Sequence, residues 1–282
     1  MKYSIIVPVR NGEKTINTCI DSILKQKEDF ELIIVDNNST DSTKKIISDK
    51  KDKRIKYVFE EKVGRGSARN TGISNAKGKI ILMTDADCIV PENWIKEMTK
   101  NMPKEKAVMG GEFPIQENYW TKNVQKANSD FLKNLVKKDY ISSLDTKNFA
   151  IESKLAKKIN FDKNMGALED FEFYLRLKKY TKIRFLPKIK VGHNHPGSLI
   201  SIIKTNFERG FWAEKIFQKH KDNQEPFLEC RSIKNTLRFI KELPIEFIRK
   251  PLKEFLFKKI YDSAYRIGLI YCIFKEKLTI LN

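Results

Sequence analysis

The stretch Ile80-Ile81-Leu82-Met83-Thr84-Asp85-Ala86-Asp87 decides how this chain folds. Four apolar residues run unbroken after Lys77-Gly78-Lys79, the pattern of a short strand buried on both faces of a parallel sheet. Two carboxylates follow, one residue apart, where the strand leaves the sheet, and open α/β sheets bind their ligands at that edge. Side chains at i and i+2 of an extended segment point the same way, so Asp85 and Asp87 can face one ligand. Two hard oxygen donors beside a diphosphate can hold Mg2+ or Mn2+, with water and phosphate oxygens completing the shell. A lone Asp-x-Asp also reads as an acidic turn capping a helix that begins near Pro91, since Asp is a favoured helix starter. The rest of the sequence favours the ligand reading.

Upstream, Ser4-Ile5-Ile6-Val7-Pro8-Val9 is a first strand ended by Arg10-Asn11-Gly12. Ile16, Cys19, Ile20, Ile23 and Leu24 then form the stripe of an amphipathic helix. Phe30 to Val35 is a second buried strand, closed by Asp36 and a run of helix-capping residues before a helix over Lys44–Ser48. Ile55 to Phe59 is a third strand. Gly64-Arg65-Gly66-Ser67-Ala68-Arg69 opens another helix, whose N-terminus and arginines suit a phosphate. Taken singly, Asp36 also reads as a helix cap and Arg69 as a solvated charge. Strand and helix alternating at this spacing predict a doubly wound, mostly parallel α/β sheet of Rossmann-like type.

Composition narrows the classes. With 282 residues and 40% hydrophobic content, the chain can bury a real core. Met1-Lys2-Tyr3 leads straight into a strand, so no secretory leader is expected, and no apolar stretch is long enough to span a bilayer. Cys19, Cys88, Cys230 and Cys272 lie far apart without a C-x-x-C pair, which suits a reducing cytoplasm. The net charge of +19 is spread along the chain, with neither a basic stripe interleaved with aromatics nor a known nucleic-acid motif. A basic surface facing an anionic substrate or anionic lipid is the better reading.

Four segments together carry a family resemblance. Ile6-Val7-Pro8-Val9-Arg10-Asn11, Ile34-Val35-Asp36-Asn37-Asn38-Ser39-Thr40-Asp41, Gly66-Ser67-Ala68-Arg69-Asn70-Thr71-Gly72 and Thr84-Asp85-Ala86-Asp87 stand in an order and spacing similar to family 2 glycosyltransferases, which have the GT-A fold. Where that family usually reads V-D-D-G-S-T-D, this chain keeps the first Asp as Asp36. The resemblance implies that Pro8, Val9, Arg10, Asn11 and Asp36 surround a nucleobase, usually uracil. Asp85 and Ala86 would then lie at the ribose, with Asp87, and Asp85 as an alternative, on a metal. Gly64, Arg65 and Arg69 are candidates for the diphosphate. Asp36 and Asp85 are expected to end neighbouring strands.

Residues 91–142 say less. A helix is expected over Pro91–Lys100, a short strand over Ala107–Gly111, and a loop and helix after it. Glu169 and Asp170 open an amphipathic helix containing Phe171, Tyr174 and Leu175. Acids in a first turn complement the helix dipole, yet two adjacent carboxylates beside an anionic donor are costly without a task. The pair resembles the acceptor-activating motif of the same family, which would make Asp170 the general base with Glu169 beside it. Two of the three histidines, His193 and His195, end a later strand, and the resemblance places one of them on the metal. Both remain candidates.

The expected organisation is a catalytic domain over 1–197, divided into a nucleotide-sugar half (1–111) and an acceptor half (112–197), followed by a basic helical region over 198–282. Apolar faces at Leu199, Ile202, Ile203 and Phe207, and from Leu252 to Phe274, are interleaved with lysines. They fit an anionic membrane interface or packing on the chain's own core equally well. The combined expectation is a metal-dependent, inverting transferase in cell-surface polysaccharide synthesis. It would be cytoplasmic and peripheral at the inner face of the membrane. Its donor would be a nucleoside-diphosphate sugar, UDP-linked by resemblance, and its acceptor a glycan or lipid-linked hydroxyl. Two other classes rank below it. A sugar-phosphate nucleotidyltransferase would want a glycine-rich basic loop where Pro8-Val9-Arg10-Asn11 stands, and a nucleic-acid-binding protein would rest on charge alone.

Overall fold

The computed structural model describes residues 2–102, 104–220 and 252–281, with backbone alone for 276–281. Cys230 and the stretch from Leu243 to Lys250 therefore lie outside the described residues. The four apolar runs form β1 (Tyr3–Val9), β2 (Phe30–Asp36), β3 (Ile55–Phe59) and β4 (Ile80–Met83), joined by α1 (Ile16–Leu24), α2 (Thr43–Asp49) and α3 (Arg65–Asn75). They pair in parallel in the order β3-β2-β1-β4. All seven residues of β2 are buried, as its unbroken apolar pattern requires. Glu31, the acid within its apolar run, is satisfied by the Ser4 hydroxyl (2.6 Å) and the Lys77 backbone N–H (2.7 Å).

The chain then supplies β5 (Cys88–Ile89), α4 (Trp94–Thr99), β6 (Ala107–Pro114), α5 (Tyr119–Leu135), the small hairpin β7 (Val136–Lys137) and β8 (Tyr140–Ile141), β9 (Phe149–Glu152), α6 (Ser153–Ile159), α7 (Glu169–Leu177) and β10 (Ile183–His193). β9 inserts antiparallel between β4 and β6, and β10 runs parallel to β6, so the sheet is mixed, parallel from β3 to β4 and again between β6 and β10. β6 runs three residues past the expected Gly111, because β10 pairs with it as far as Pro114. The helix expected from Pro91 begins only at Trp94. Asn93 has φ 59°, a left-handed conformation through which a right-handed helix cannot run. Asp36 and Asp85 do not end adjacent strands, since β1 lies between β2 and β4. Both still emerge at the same edge, with the end of β1 and the Arg10–Gly12 turn between them.

The chain divides into two compact units, Met1–Ile115 with Asn128–Asn194, and Gln116–Ala127 with His195–Asn282. The first holds the sheet and its apolar core, centred on Ile5, Val7, Ile16, Leu32, Ile34, Leu82, Trp94 and Met98. The second is built on α8 (Leu199–Lys219) and α9 (Leu252–Leu281). Ser198 and Ser201 form a capping box at the start of α8. The two helices cross closely at glycines: a Cβ at Gly210 would fall 1.8 Å from the Tyr265 carbonyl oxygen, and one at Gly268 would fall 2.0 Å from that of Phe207. Val124, Ile202 and Phe257 form a small core of their own, flanked by Trp120 and Tyr261. Among the described residues no helix is long and apolar enough to cross a membrane.

Candidate active site

At the edge of the first unit, the turns after β1 and β2 are knitted together. Asn11 adopts φ 52°, its N–H donates to the Ser39 hydroxyl (3.0 Å), and its Oδ1 accepts from the Thr40 N–H (2.9 Å). The Asn37 N–H donates to the Val9 carbonyl at 2.7 Å. Asp36 is buried, with Oδ1 accepting from the Ser39 N–H (3.0 Å) and Oδ2 from the Tyr57 hydroxyl (2.8 Å). Burial and this carboxylate together push the Tyr57 phenol up to about 12, so it stays a donor and leaves Asp36 a pure acceptor. Pro8 and Val9 belong to β1 itself, and Arg10 is exposed beyond its end.

The Asn37 side chain reaches the next motif, accepting from the Gly64 N–H at 2.8 Å. Gly64 has φ +152°, a region open only to glycine without strain, and it sets the entry to α3. Gly66 lets α3 approach the loop before α7, because a Cβ there would stand 2.6 Å from the Asp162 carbonyl oxygen. Arg65 is exposed and donates to the Gly166 carbonyl at 3.3 Å. Arg69 lies one turn further on and is buried. Its guanidinium pairs with Asp85 at 2.9 Å and with Glu169, so both forks are engaged by protein carboxylates. Burial works against its charge, but Asp85, Glu169 and Asp170 hold it charged.

That ion triad brings the two acidic motifs into one site. Leu168, at φ 57°, turns the chain into α7, so that Glu169 is buried against Arg69 while Asp170 keeps partial exposure. Burial, then the Glu169 charge and that of Asp145, push the Asp170 carboxyl up to about 7, against the pull of Arg69 and Lys147. On the other side, β10 pairs with β5 in the register His193 to Cys88, which sets His193 beside Asp87. His193 Nε2 is 3.5 Å from Asp87 Oδ2, and its Nδ1 is 3.7 Å from Glu112 Oε2. Burial opposes ionisation of Asp87, yet His193 and then Lys147 hold its carboxyl below the usual range. Asp87 and His193 thus turn an ionised carboxylate and an imidazole nitrogen toward each other, a donor set that suits a divalent ion. Ala86 sits between the two aspartates, packed on the core. His195 falls in the second unit, where it is buried and its Nε2 lies 2.7 Å from Gln125 Oε1.

Four residues at this site carried no sequence signal. Tyr57 lies unmarked within the third strand, and Glu112 lies past the expected end of its strand. Asp145 caps a 3-10 turn over Thr146–Asn148 and Lys147 lies within it, with no motif. Lys147 Nζ pairs with Asp145 and, at 3.2 Å, with Glu112, while Glu112 also accepts from Asn128 Nδ2 at 3.0 Å. Only a buried carboxylate at the end of β6 could have hinted at them.

Comparison with known proteins bears on the family and the fold. The pattern of glycosyl transferase family 2 matches residues 4–162. A poly(ribitol-phosphate) beta-glucosyltransferase of Bacillus spizizenii is 44% identical over 94 residues, covering 31% of this chain and 15% of that one. The chain spans 16%, 15% and 40% of three curated relatives it matches. Among solved structures, the mannosyltransferase PcManGT of Pyrobaculum calidifontis, in complex with GDP-Man and Mn2+, superposes with a TM-score of 0.73 at 16% identity, over 97% of this chain and 87% of that one. TarS of S. aureus with UDP-GlcNAc gives 0.57 at 16% identity, over 95% and 90%. These likenesses establish the GT-A architecture, and the sequence match, which runs from β1 into the loop that precedes α7, settles the lineage. The chain belongs to glycosyl transferase family 2.

Proposed function

We propose that this protein transfers a sugar from a nucleoside diphosphate to a hydroxyl of a glycan or lipid-linked acceptor, with inversion, in cell-surface polysaccharide synthesis. The observation that carries the reading is the Asp85–Arg69–Glu169 triad, which joins the two acidic motifs in one site. Asp36, an acceptor with both oxygens already oriented, matches the ring N–H of uracil or guanine and mismatches the ring acceptors of adenine and cytosine. We assign the donor as UDP-linked, with Pro8, Val9, Arg10 and Asn11 around the base and Asp85 and Ala86 at the ribose. Relatives that bind UDP-GlcNAc or GDP-Man support a donor of this class.

In the mechanism, Asp170 takes the proton of the acceptor hydroxyl as that oxygen attacks the anomeric carbon, one displacement giving inversion. Its partial exposure and raised pKa suit a base working near neutral pH. Glu169, held by Arg69, stands beside Asp170, and its charge helps to raise the Asp170 carboxyl. Asp87 and His193, with Asp85 nearby, would hold Mn2+ or Mg2+, whose positive charge neutralises the leaving diphosphate when bound. His195 is the alternative histidine. Exposed Arg65, whose guanidinium donates to the Gly166 carbonyl, is assigned to the diphosphate. The division into a catalytic domain (1–197) and a basic tail is part of this reading. Exposed Ile267, Ile270, Tyr271 and Phe274, interleaved with Arg266 and Lys275, favour reversible attachment of the tail to an anionic cytoplasmic membrane face.

Calorimetry with UDP, GDP, ADP and CDP, with and without Mn2+, tests the donor site. Binding of UDP that strengthens with Mn2+ is expected, and Asp87→Ala should lose the Mn2+ contribution while the protein stays folded. Undiminished Mn2+ enhancement in that variant removes the metal from Asp87, and absence of binding by any diphosphate removes the transferase reading itself.

A further inference from the structure

The buried Lys147 has no part in the transfer chemistry as described, yet it stands inside the site. Its ammonium is held by Asp145 and by Glu112 Oε2, the same oxygen that faces His193 Nδ1. Burial opposes its charge, but Asp145, Glu112 and Asp85 hold it protonated well above neutrality. Its field reaches Asp85 and Asp87 and lowers the Asp87 pKa. Asp145, in turn, is ionised throughout the working range, held at about 2 chiefly by Lys147 against burial. A fixed positive charge, held by two carboxylates, therefore stands one carboxylate oxygen away from His193, 3.2 Å from Glu112 Oε2, which is itself 3.7 Å from His193 Nδ1.

We infer that Lys147 is a positioning residue that weakens the resident metal site, so that a divalent ion binds firmly only together with the diphosphate. This rests on the assignment of the ion to Asp87 and His193. The physical reason is charge balance. Like charges in a poorly screened site repel, so an ion entering near Lys147 is held less firmly until further negative charge arrives. The diphosphate brings that charge. Without the diphosphate, Asp87 and His193 would hold the ion only weakly. Asp145 acts in the opposite sense by partly neutralising Lys147.

The test measures Mn2+ affinity of the full chain by the electron paramagnetic resonance signal of free Mn2+, with and without UDP. Lys147→Gln keeps a hydrogen-bond donor toward both acids and removes the charge. It should bind Mn2+ alone at least about tenfold more tightly than the native protein, with the UDP enhancement reduced by a similar factor. Asp145→Asn, which is not a ligand and is close in shape, should move the affinity the other way. Lys147→Arg should resemble the native chain. Unchanged or weaker Mn2+ binding in folded Lys147→Gln overturns the inference, as does unchanged or tighter binding in Asp145→Asn. The second variant decides alone if the first does not fold. Retention of Mn2+ binding by Asp87→Ala would instead sink the metal assignment, which separates the two failures.

Discussion

The two units of this molecule use charge in opposite ways. In the sheet unit, charged side chains are drawn inside and matched one against another: Arg69 between Asp85 and Glu169, and Lys147 between Asp145 and Glu112. In the helical unit, lysines stay in water while large apolar residues come to the surface, with Ile267 57% and Phe274 62% exposed. The difference teaches where each unit can tolerate change. A buried charge is tied to partners and cannot be removed singly without stranding them. An exposed apolar residue contributes little to its own unit's stability and can be changed alone.

The largest break in that comparison is expected at Asp170. Asp170→Asn should keep donor binding and lose about a hundredfold to ten-thousandfold in transfer rate, the usual range for a general base. In the native protein the rate should climb as pH rises through about 7, where the carboxyl gives up its proton. The stability consequence has the opposite sign. Between the ordinary carboxylate range and about 7 the folded state holds a proton that the unfolded state has released, so this group's contribution is complete at acid pH and declines as pH rises through about 7. Asp170→Asn should flatten that decline in urea titrations at several pH values. A rate profile flat from pH 6 to 8 would remove Asp170 from the role of base.

Next in size is Arg69→Met, which leaves the side chain's volume but strands Glu169 and Asp85. Urea unfolding should show a loss of about 3–5 kcal/mol, the cost of breaking a buried ion pair from one side. A loss below about 1 kcal/mol would mean that the triad is solvated in solution and that the two acidic motifs are not held together by it. The smallest expected effect lies in the helical unit. Ile267→Ser with Phe274→Ser should shift stability by no more than about 0.5 kcal/mol per site. The same pair should lower co-sedimentation with anionic liposomes at low salt. Unaltered liposome binding would sharpen the contrast differently, by turning those side chains from a membrane face into an ordinary surface.

What could be read beforehand follows from where the information lies along the chain. β1 to β4 were legible because an apolar run of four to seven residues bounded by polar turns encodes a buried strand within its own length. The positions of Asp36, Asp85 and Asp87 at one edge came with the strands that end there. The Glu169-Asp170 start of α7 was legible for the same local reason. His193 could not be separated from His195, because alternation along a strand end puts both within reach. Only the register of β10 against β5 set His193 beside Asp87.

By itself, then, the sequence determined the alternation of strand and helix, the edge at which the acids emerge, and the lineage that four spaced motifs identify. The tertiary structure alone decided which charges meet. Arg69 read as a candidate phosphate ligand until the fold set Glu169, one hundred positions away, against its guanidinium. β9, inserted antiparallel between β4 and β6, brings the 3-10 turn with Asp145 and Lys147 into the site, though nothing near those residues marks them. The physical reason is that strand and helix patterns follow from short-range sterics and periodic burial. The partner of a buried charge is instead chosen by whichever distant segment the packed sheet brings within a few ångströms.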